Sequence, residues 1–286
     1  MINGDTSLMG MIGNPVRQSL SPVLHTLTME KMGINGVYLV FKVEPDQVEA
    51  AVASVRALNM IGINVTKPYK QEVIKYLDKL SPEAEACQSV NVIKNENGTL
   101  VGYNTDGRGF LDGIINENVD VADKNILMIG AGGAAYSIAY ELAISGVKGI
   151  NIIARDMSKS RKMASMVNAV KSGVAMGYKL NDEEFEELSE QADIIINCTP
   201  LGMKPDIDRA PISTLKKVKP SAVVCDIIYN PSVTKFLAMA QERNLKTING
   251  LPMLLYQGRL FLKTLTGKEP PISFMKEVLQ DSLQKL

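Results

Sequence analysis

The sequence predicts an α/β chain of two domains. Its 286 residues suffice for two separate cores. Apolar runs of strand length alternate with amphipathic helical stretches along most of it. The third observation is one stretch, Asn-Ile-Leu-Met-Ile-Gly-Ala-Gly-Gly-Ala-Ala at 125–135. Ile126–Ile129 reads as a buried strand, and a helix opens just after Gly130. Gly130, Gly132 and Ala135 fit G-x-G-x-x-A: a tight turn, close backbone approach to a pyrophosphate, and a helix lying close on the sheet. Ala131, Gly133 and Ala134 complete the loop, and the helix N-terminus offers free N–H groups and the positive end of its dipole to the phosphates. Ala135, Ile138, Ala139, Leu142 and Ala143 repeat on one helical face, Gly146 ends the helix, and Asn151–Ala154 is the next strand. That is the βαβ unit a dinucleotide loop requires.

Composition narrows the function. Lys plus Arg and Asp plus Glu number 31 each, so formal charge is zero. That argues against nucleic acid or an anionic membrane as the main partner. No basic N-terminal region precedes an apolar core and no run is long enough for a bilayer, so a cytoplasmic location is expected. Cys87, Cys198 and Cys225 are scattered without metal spacing and read as free thiols in a reducing compartment, and no metal site is expected. His25, the only histidine, reads as structural or solvent-facing, within a probable helix.

The elements follow in order. Leu8–Ile12 is a first strand. The loop 13–22 carries Ser19 and Ser21; Pro22 suits a first helical position and Ser21 its N-cap. Two hydroxyls beside a helix N-terminus also suit a substrate carboxylate. Val37–Val43 is a strand. Asp46–Leu58 is an amphipathic helix with Val48, Ala51, Val52 and Val55 inward. Ile61–Val65 is the next strand, so this part is α/β with a mostly parallel sheet expected. Thr66-Lys67-Pro68-Tyr69-Lys70 then enters a helix at Pro68. There the dipole would favour the neutral amine of Lys70 that a general base needs, set against a plain solvated lysine. Ser89–Lys94 and Thr99–Tyr103 form a hairpin across Asn95–Gly98. Asp106 follows, with helix capping as its simplest role. Asn116–Lys124 reads as a polar linker. Beyond Ala154, the loop Arg155–Arg161 is where a dinucleotide fold meets the ribose. Ile194–Asn197 and Ala222–Ile228 are strands, followed by helix 233–243, a strand at 246–248, and helices opening at Asn249 and Ser273.

Several stretches together resemble the shikimate dehydrogenase family. They are Ser19-Leu20-Ser21-Pro22, Asn64-Val65-Thr66-x-Pro68-x-Lys70, Asn91, Asn104-Thr105-Asp106-Gly107, the Gly130–Ala135 loop, Asn197-x-Thr199-Pro200-x-Gly202-Met203, Tyr229-Asn230-Pro231, and Gly250 with Gln257-Gly258. They run in family order over nearly the whole chain, closest to the subgroup that also accepts quinate. The resemblance implies an N-terminal α/β substrate domain, residues 1–106 plus 251–286. A C-terminal Rossmann domain, 107–250, would be separated from it by a cleft. It implies reversible reduction of 3-dehydroshikimate to shikimate in aromatic amino acid biosynthesis. By matching positions, Ser19 and Ser21 bind the carboxylate, and Thr66, Asn91, Tyr229 and Gln257 line the ring. Lys70 and Asp106 form the catalytic pair. Thr199, Ile227 and Gly250 fall on the cofactor side, Ile227 and Gly250 near the nicotinamide. The partner implied is the small-molecule substrate, possibly quinate, with the chain a monomer or homodimer.

Cofactor choice stays open between NADP and NAD. NADP-using members carry Asn-Arg-Thr after the second Rossmann strand; here it reads Ala154-Arg155-Asp156, with Lys159 following. Arg155 and Lys159 suit a 2′-phosphate, whereas Asp156 would repel it and suit the ribose hydroxyls of NAD. Two cations against one anion lean to NADP. The alternatives are an NAD-dependent quinate/shikimate dehydrogenase and a regulatory dinucleotide-binding module without turnover, which would need neither Lys70 nor Asp106.

Overall fold

The computed structural model describes residues 2–16 and 19–284. Arg17 and Gln18 of the serine loop lie outside the described residues. The chain divides into two compact units, Met1–Thr105 with Leu255–Leu286, and Asp106–Leu254.

The first unit begins with β1 (Ser7–Gly13), α1 (Ser21–Lys31) and β2 (Gly36–Lys42). A 3-10 turn at Pro45–Gln47 leads into α2 (Val48–Ala57). The helix expected from Asp46 therefore starts at Val48, because Pro45 and Asp46 wind more tightly first; Val48, Val52 and Val55 are buried as expected. Then come β3 (Gly62–Val65), β4 (Lys79–Leu80), α3 (Pro82–Cys87), β5 (Val92–Glu96) and β6 (Thr99–Tyr103). The sheet order is β2-β1-β3-β5-β6-β4. β1 pairs in parallel with β2 and β3, but β5 is antiparallel to β3 and β6. With β4 parallel to β6, three of the five pairings are parallel, as expected; β5 runs against β6 because the two-residue Asn97-Gly98 connection must reverse the chain. Both residues take left-handed backbone, φ 53° and 90°, the geometry of a tight hairpin turn.

The second unit opens with α4 (Asp106–Asn116), then β7 (Asn125–Ile129), α5 (Gly133–Ile144), β8 (Gly149–Ala154), α6 (Met157–Val170), β9 (Ala175–Lys179) and α7 (Asp182–Ser189). β10 (Ile194–Asn197), β11 (Val223–Asp226), α8 (Lys235–Gln241) and β12 (Lys246–Ile248) complete it. The order β12-β11-β10-β7-β8-β9, all parallel, is that of a doubly wound dinucleotide fold. Ala135, Ile138, Ala139, Leu142 and Ala143 are fully buried on one face of this sheet. Phe185, Phe236 and Leu237 pack on the other.

Asn116–Lys124 is not a linker. Val119 and Val121 are buried in the same core as β7 and α5, and two valines suffice to hold a short polar segment down. α4 lies so close to α5 that a Cβ on Gly107 would stand 2.0 Å from the Ser137 carbonyl oxygen. The chain returns to the first unit through α9 (Leu251–Thr266), and α10 (Ile272–Leu283) packs on α1.

His25 resolves to the structural reading. It is fully buried between Tyr38 and Phe261, at ring-centroid distances of 4.6 and 4.8 Å. Neither ring nitrogen has a hydrogen-bond partner among the described residues. Burial pushes its pKa down to about 3.

Candidate functional site

The expected residues fall on both units, which are described in turn. In the first unit the serine loop leads into α1, whose first residue is Ser21. Ser21 is therefore not the N-cap; that position is Leu20, which makes no side-chain cap. The hydroxyl that meets the helix backbone belongs to Ser19, whose Oγ accepts the Ser21 N–H at 3.2 Å. Local sequence favours any serine before Pro22 as a cap, and only the chain's path selects which one turns back.

Tyr38 begins a buried polar chain. Its hydroxyl donates to Asn64 Oδ1 at 2.8 Å, and Asn64 Nδ2 donates to the Asn91 carbonyl at 3.1 Å. Asn91 then brackets Thr105: Nδ2 donates to Oγ1 at 3.0 Å and Oδ1 accepts the Thr105 N–H at 2.8 Å. One expected substrate residue, Asn91, is thus held within a buried network that runs from Tyr38 to Thr105. Tyr38 and Asn64 each place a polar side chain inside an apolar strand, which burial makes costly unless it is bonded, and that is the sequence signal for this network.

Thr66 and Lys70 follow β3. No α-helix begins at Pro68: residues 67–71 form turns before a 3-10 helix at Glu72–Tyr76. The dipole argument for Lys70 therefore lapses. The cause is Tyr69 and Val73, both buried, which pin the segment to the core; Tyr69 donates to the Val43 carbonyl at 2.6 Å. Lys70 is half-buried, and its carbonyl accepts the Val90 N–H at 2.8 Å. Gln257 is half-buried on α9. One residue on, Gly258 leaves room for α1: a Cβ there would meet His25 and Leu24 at 3.2 Å.

In the second unit the remaining residues gather at the C-terminal edge of the sheet. Strand order reverses between β7 and β10, the place where such sheets hold ligands. Gly130 has φ 108°, which only glycine adopts cheaply, and a Cβ there would press on Thr199 Cγ2 at 3.0 Å. Gly132 differs. Its backbone is extended, φ −92° and ψ 178°, and a Cβ would meet nothing within 4 Å. No protein contact requires glycine at this position, which is N-cap to α5 without a side-chain cap. Ala131, Gly133 and Ala134 flank it, and the free helix end suits a pyrophosphate. Gly250 has a packing reason: a Cβ would stand 2.1 Å from the Ile227 carbonyl oxygen. Asp106 is buried as the first residue of α4 rather than a preceding cap.

After β8, Arg155, Asp156 and Lys159 are exposed. Asp156 is the N-cap of α6: Oδ1 accepts the Ser158 N–H at 2.9 Å and the Ser158 hydroxyl at 2.6 Å. Those hydrogen bonds hold its carboxyl below the usual range.

The sequence reading missed Asp226, at the end of β11. It is 1% exposed and accepts from Asn197 Nδ2 at 3.1 Å, Thr234 Oγ1 at 2.7 Å and Ile228 N at 3.0 Å. Burial raises its pKa to about 6, against the pull of those donors. Burial likewise raises the nearby Tyr229 phenol. Among the described residues, no His, Cys, Asp and Glu cluster is placed to hold a metal ion, and no helix is long and apolar enough to cross a membrane. A groove of about 690 Å³ between α6 and β9, lined by residues including Met157 and Met176, holds none of the expected site residues.

Two family models match the chain. Residues 11–93 match the shikimate dehydrogenase substrate binding domain, and residues 114–253 match shikimate / quinate 5-dehydrogenase. A shikimate dehydrogenase (NADP(+)) of Syntrophomonas wolfei is 47% identical, covering 98% of this chain and 96% of its own. The crystal structure of shikimate 5-dehydrogenase from Listeria monocytogenes, in complex with shikimate and NAD, has a TM-score of 0.92 at 35% identity, covering 97% of this chain and 98% of that one. A shikimate dehydrogenase solved with NADP+ has a TM-score of 0.90 at 41% identity, over 99% of this chain and 97% of that one. By sequence motifs, fold and these matches, the chain belongs to the shikimate dehydrogenase family.

Proposed function

We propose that this chain catalyses the reversible, NADP-dependent reduction of 3-dehydroshikimate to shikimate. The observation that carries the reading is the cradle at the start of α5, where Gly132 leaves open space that no packing demands, in a chain of this family. It suits a pyrophosphate, so the residues present fit a nicotinamide dinucleotide. Gly130, Ala131, Gly132, Gly133 and Ala134 would hold the phosphates, Thr199 would lie on the cofactor side, and Ile227 and Gly250 would lie at the nicotinamide end. When bound, the cofactor carries the hydride. The protein's share is the proton and the alignment. Lys70 gives a proton to the new hydroxyl or takes it in reverse, and Asp106 holds Lys70. Ser19 and Ser21 take the carboxylate, while Thr66, Asn91, Tyr229 and Gln257 take the ring hydroxyls.

Asp156 bears on cofactor choice. A carboxylate occupied as the cap of α6 is less available to the ribose hydroxyls of NAD, which leaves Arg155 and Lys159 for a 2′-phosphate. Steady-state kinetics with purified protein, shikimate or quinate, and each cofactor test both halves of the reading. Higher kcat/KM with NADP is expected. Arg155→Ala should erode that preference roughly tenfold or more, the worth of a charge-assisted hydrogen bond. A clear preference for NAD in the unaltered protein would reverse the assignment of Asp156, and a higher kcat/KM with quinate would reverse that of the substrate.

The carboxylate site has its own test. Ser19→Ala should cost about 1–2 kcal/mol of shikimate binding and leave cofactor affinity almost unchanged. Ser19 also receives the Ser21 N–H, so the melting temperature is measured alongside. Equal losses for substrate and cofactor would mean a folding defect, not a lost ligand.

A further inference from the structure

We infer that Asp226 is a positioning residue for the nicotinamide end of the cofactor site, acting through Asn197 on Thr199 and through the Ile228 N–H on Ile227. This rests on the dehydrogenase reading above.

The geometry is a clamp with Asp226 at its centre. Its Oδ2 accepts from Asn197 Nδ2 and from Thr234 Oγ1, and its Oδ1 accepts from the Ile228 N–H. Each donor fixes a different segment. Asn197 Oδ1 receives both the Thr199 N–H at 3.0 Å and the Thr199 hydroxyl at 2.7 Å, and its Nδ2 also reaches the Leu201 carbonyl at 3.3 Å. That folds the loop after β10 and sets the Thr199 methyl against Gly130. Ile228 fixes the loop after β11; its carbonyl takes the Gly250 N–H at 2.9 Å, and Gly250 abuts the Ile227 carbonyl. Thr234 is the N-cap of α8, its Oγ1 accepting the Leu237 N–H at 3.3 Å. Thr199, Ile227 and Gly250, the residues assigned to the cofactor side with the last two at the nicotinamide, are thus all tied to one carboxylate. None of these bonds reaches the loop of Arg155 and Lys159.

An amide cannot replace this carboxylate. Asp226 offers acceptors in two directions, towards Asn197 and Thr234 and towards Ile228. Asn at 226 has one acceptor oxygen; its NH2 would face either the Asn197 NH2 or the Ile228 N–H, donor against donor. Asn197 cannot flip to compensate, because its oxygen already holds Thr199.

The experiment compares the two ends of the cofactor in Asp226→Asn. Dissociation constants are measured for NADP+ and for 2′,5′-ADP, which carries only the adenosine end, together with kcat, KM and the melting temperature. Expected are a fall in kcat of roughly tenfold to hundredfold, the scale of a misplaced reacting group, weaker NADP+ binding, and unchanged 2′,5′-ADP binding. The exchange Asn197→Asp with Asp226→Asn restores a donor facing an acceptor and should recover part of kcat. Unchanged kcat and NADP+ binding would overturn the proposal, as would equal weakening of both ligands, which marks a merely structural role. No recovery in the exchange, with the fold intact, would overturn the route through Asn197. Absence of turnover and of cofactor binding in the unaltered chain would instead overturn the dehydrogenase reading itself.

Discussion

Lys70→Ala is expected to lower kcat by roughly a hundredfold or more, with a smaller change in the KM for shikimate. The turn that carries Lys70 is held by its neighbours and by backbone. Tyr69 and Val73 hold the turn to the core, and the Lys70 carbonyl accepts the Val90 N–H whatever the side chain. Removing the amine therefore removes the proposed proton carrier and leaves these anchors of the turn in place. Reduction of a ketone leaves an alkoxide that must be protonated, and alcohol oxidation needs the reverse. The only histidine is buried against Tyr38 and Phe261, so it is not available as a substitute. Near-normal kcat in the variant, with unchanged circular dichroism and melting temperature, would sink the assignment of Lys70.

The second expected result concerns acid stability. An unfolded histidine takes its proton near pH 6.5, whereas His25 in the fold takes it only near pH 3. Between those values the unfolded chain binds more protons, so His25 makes stability rise with pH, by up to about 1.4 kcal/mol per pH unit. Asp226 works the other way. Its folded value is about 6 against an ordinary 3.8, so between them the folded chain holds the extra proton and stability falls as pH rises. The two slopes oppose each other from roughly pH 4 to 6. His25→Leu leaves one of them. Its stability relative to the parent, from urea unfolding, should improve by about 2 kcal/mol between pH 7 and pH 5. A difference independent of pH would mean that His25 gains a proton partner in the fold.

What the sequence made legible was whatever a local pattern dictates. The glycine loop could be read because each position has its own steric reason, and Asn97-Gly98 because that hairpin turn needs left-handed backbone. The inner face of α2 was visible as a period of apolar residues. Tertiary choices were not visible. Two serines stood before Pro22, and the path of the chain, not their identity, gave the helix contact to Ser19. At Pro68 a strong helix-start signal lost to the burial of Tyr69. β9 went unread because Gly177 interrupts its pattern; a Cβ there would lie 2.5 Å from the backbone of α6. Asp226 was hidden for a different reason. Its partners Asn197 and Thr234 lie 29 and 8 residues away, and nothing in the intervening sequence announces that they meet.

The division of the chain sets an order of synthesis. The first unit comprises residues 1–105 and 255–286, so its last two helices leave the ribosome after the whole of the second unit. Until then α1 lacks α10, and His25 and Tyr38 lack the ring of Phe261. At roughly 5–20 residues per second, the intervening stretch of roughly 150 residues takes on the order of ten seconds to translate. The N-terminal unit, begun first, is thus the last to close. For that interval the face that α10 and Phe261 later cover is open to chaperones and to aggregation.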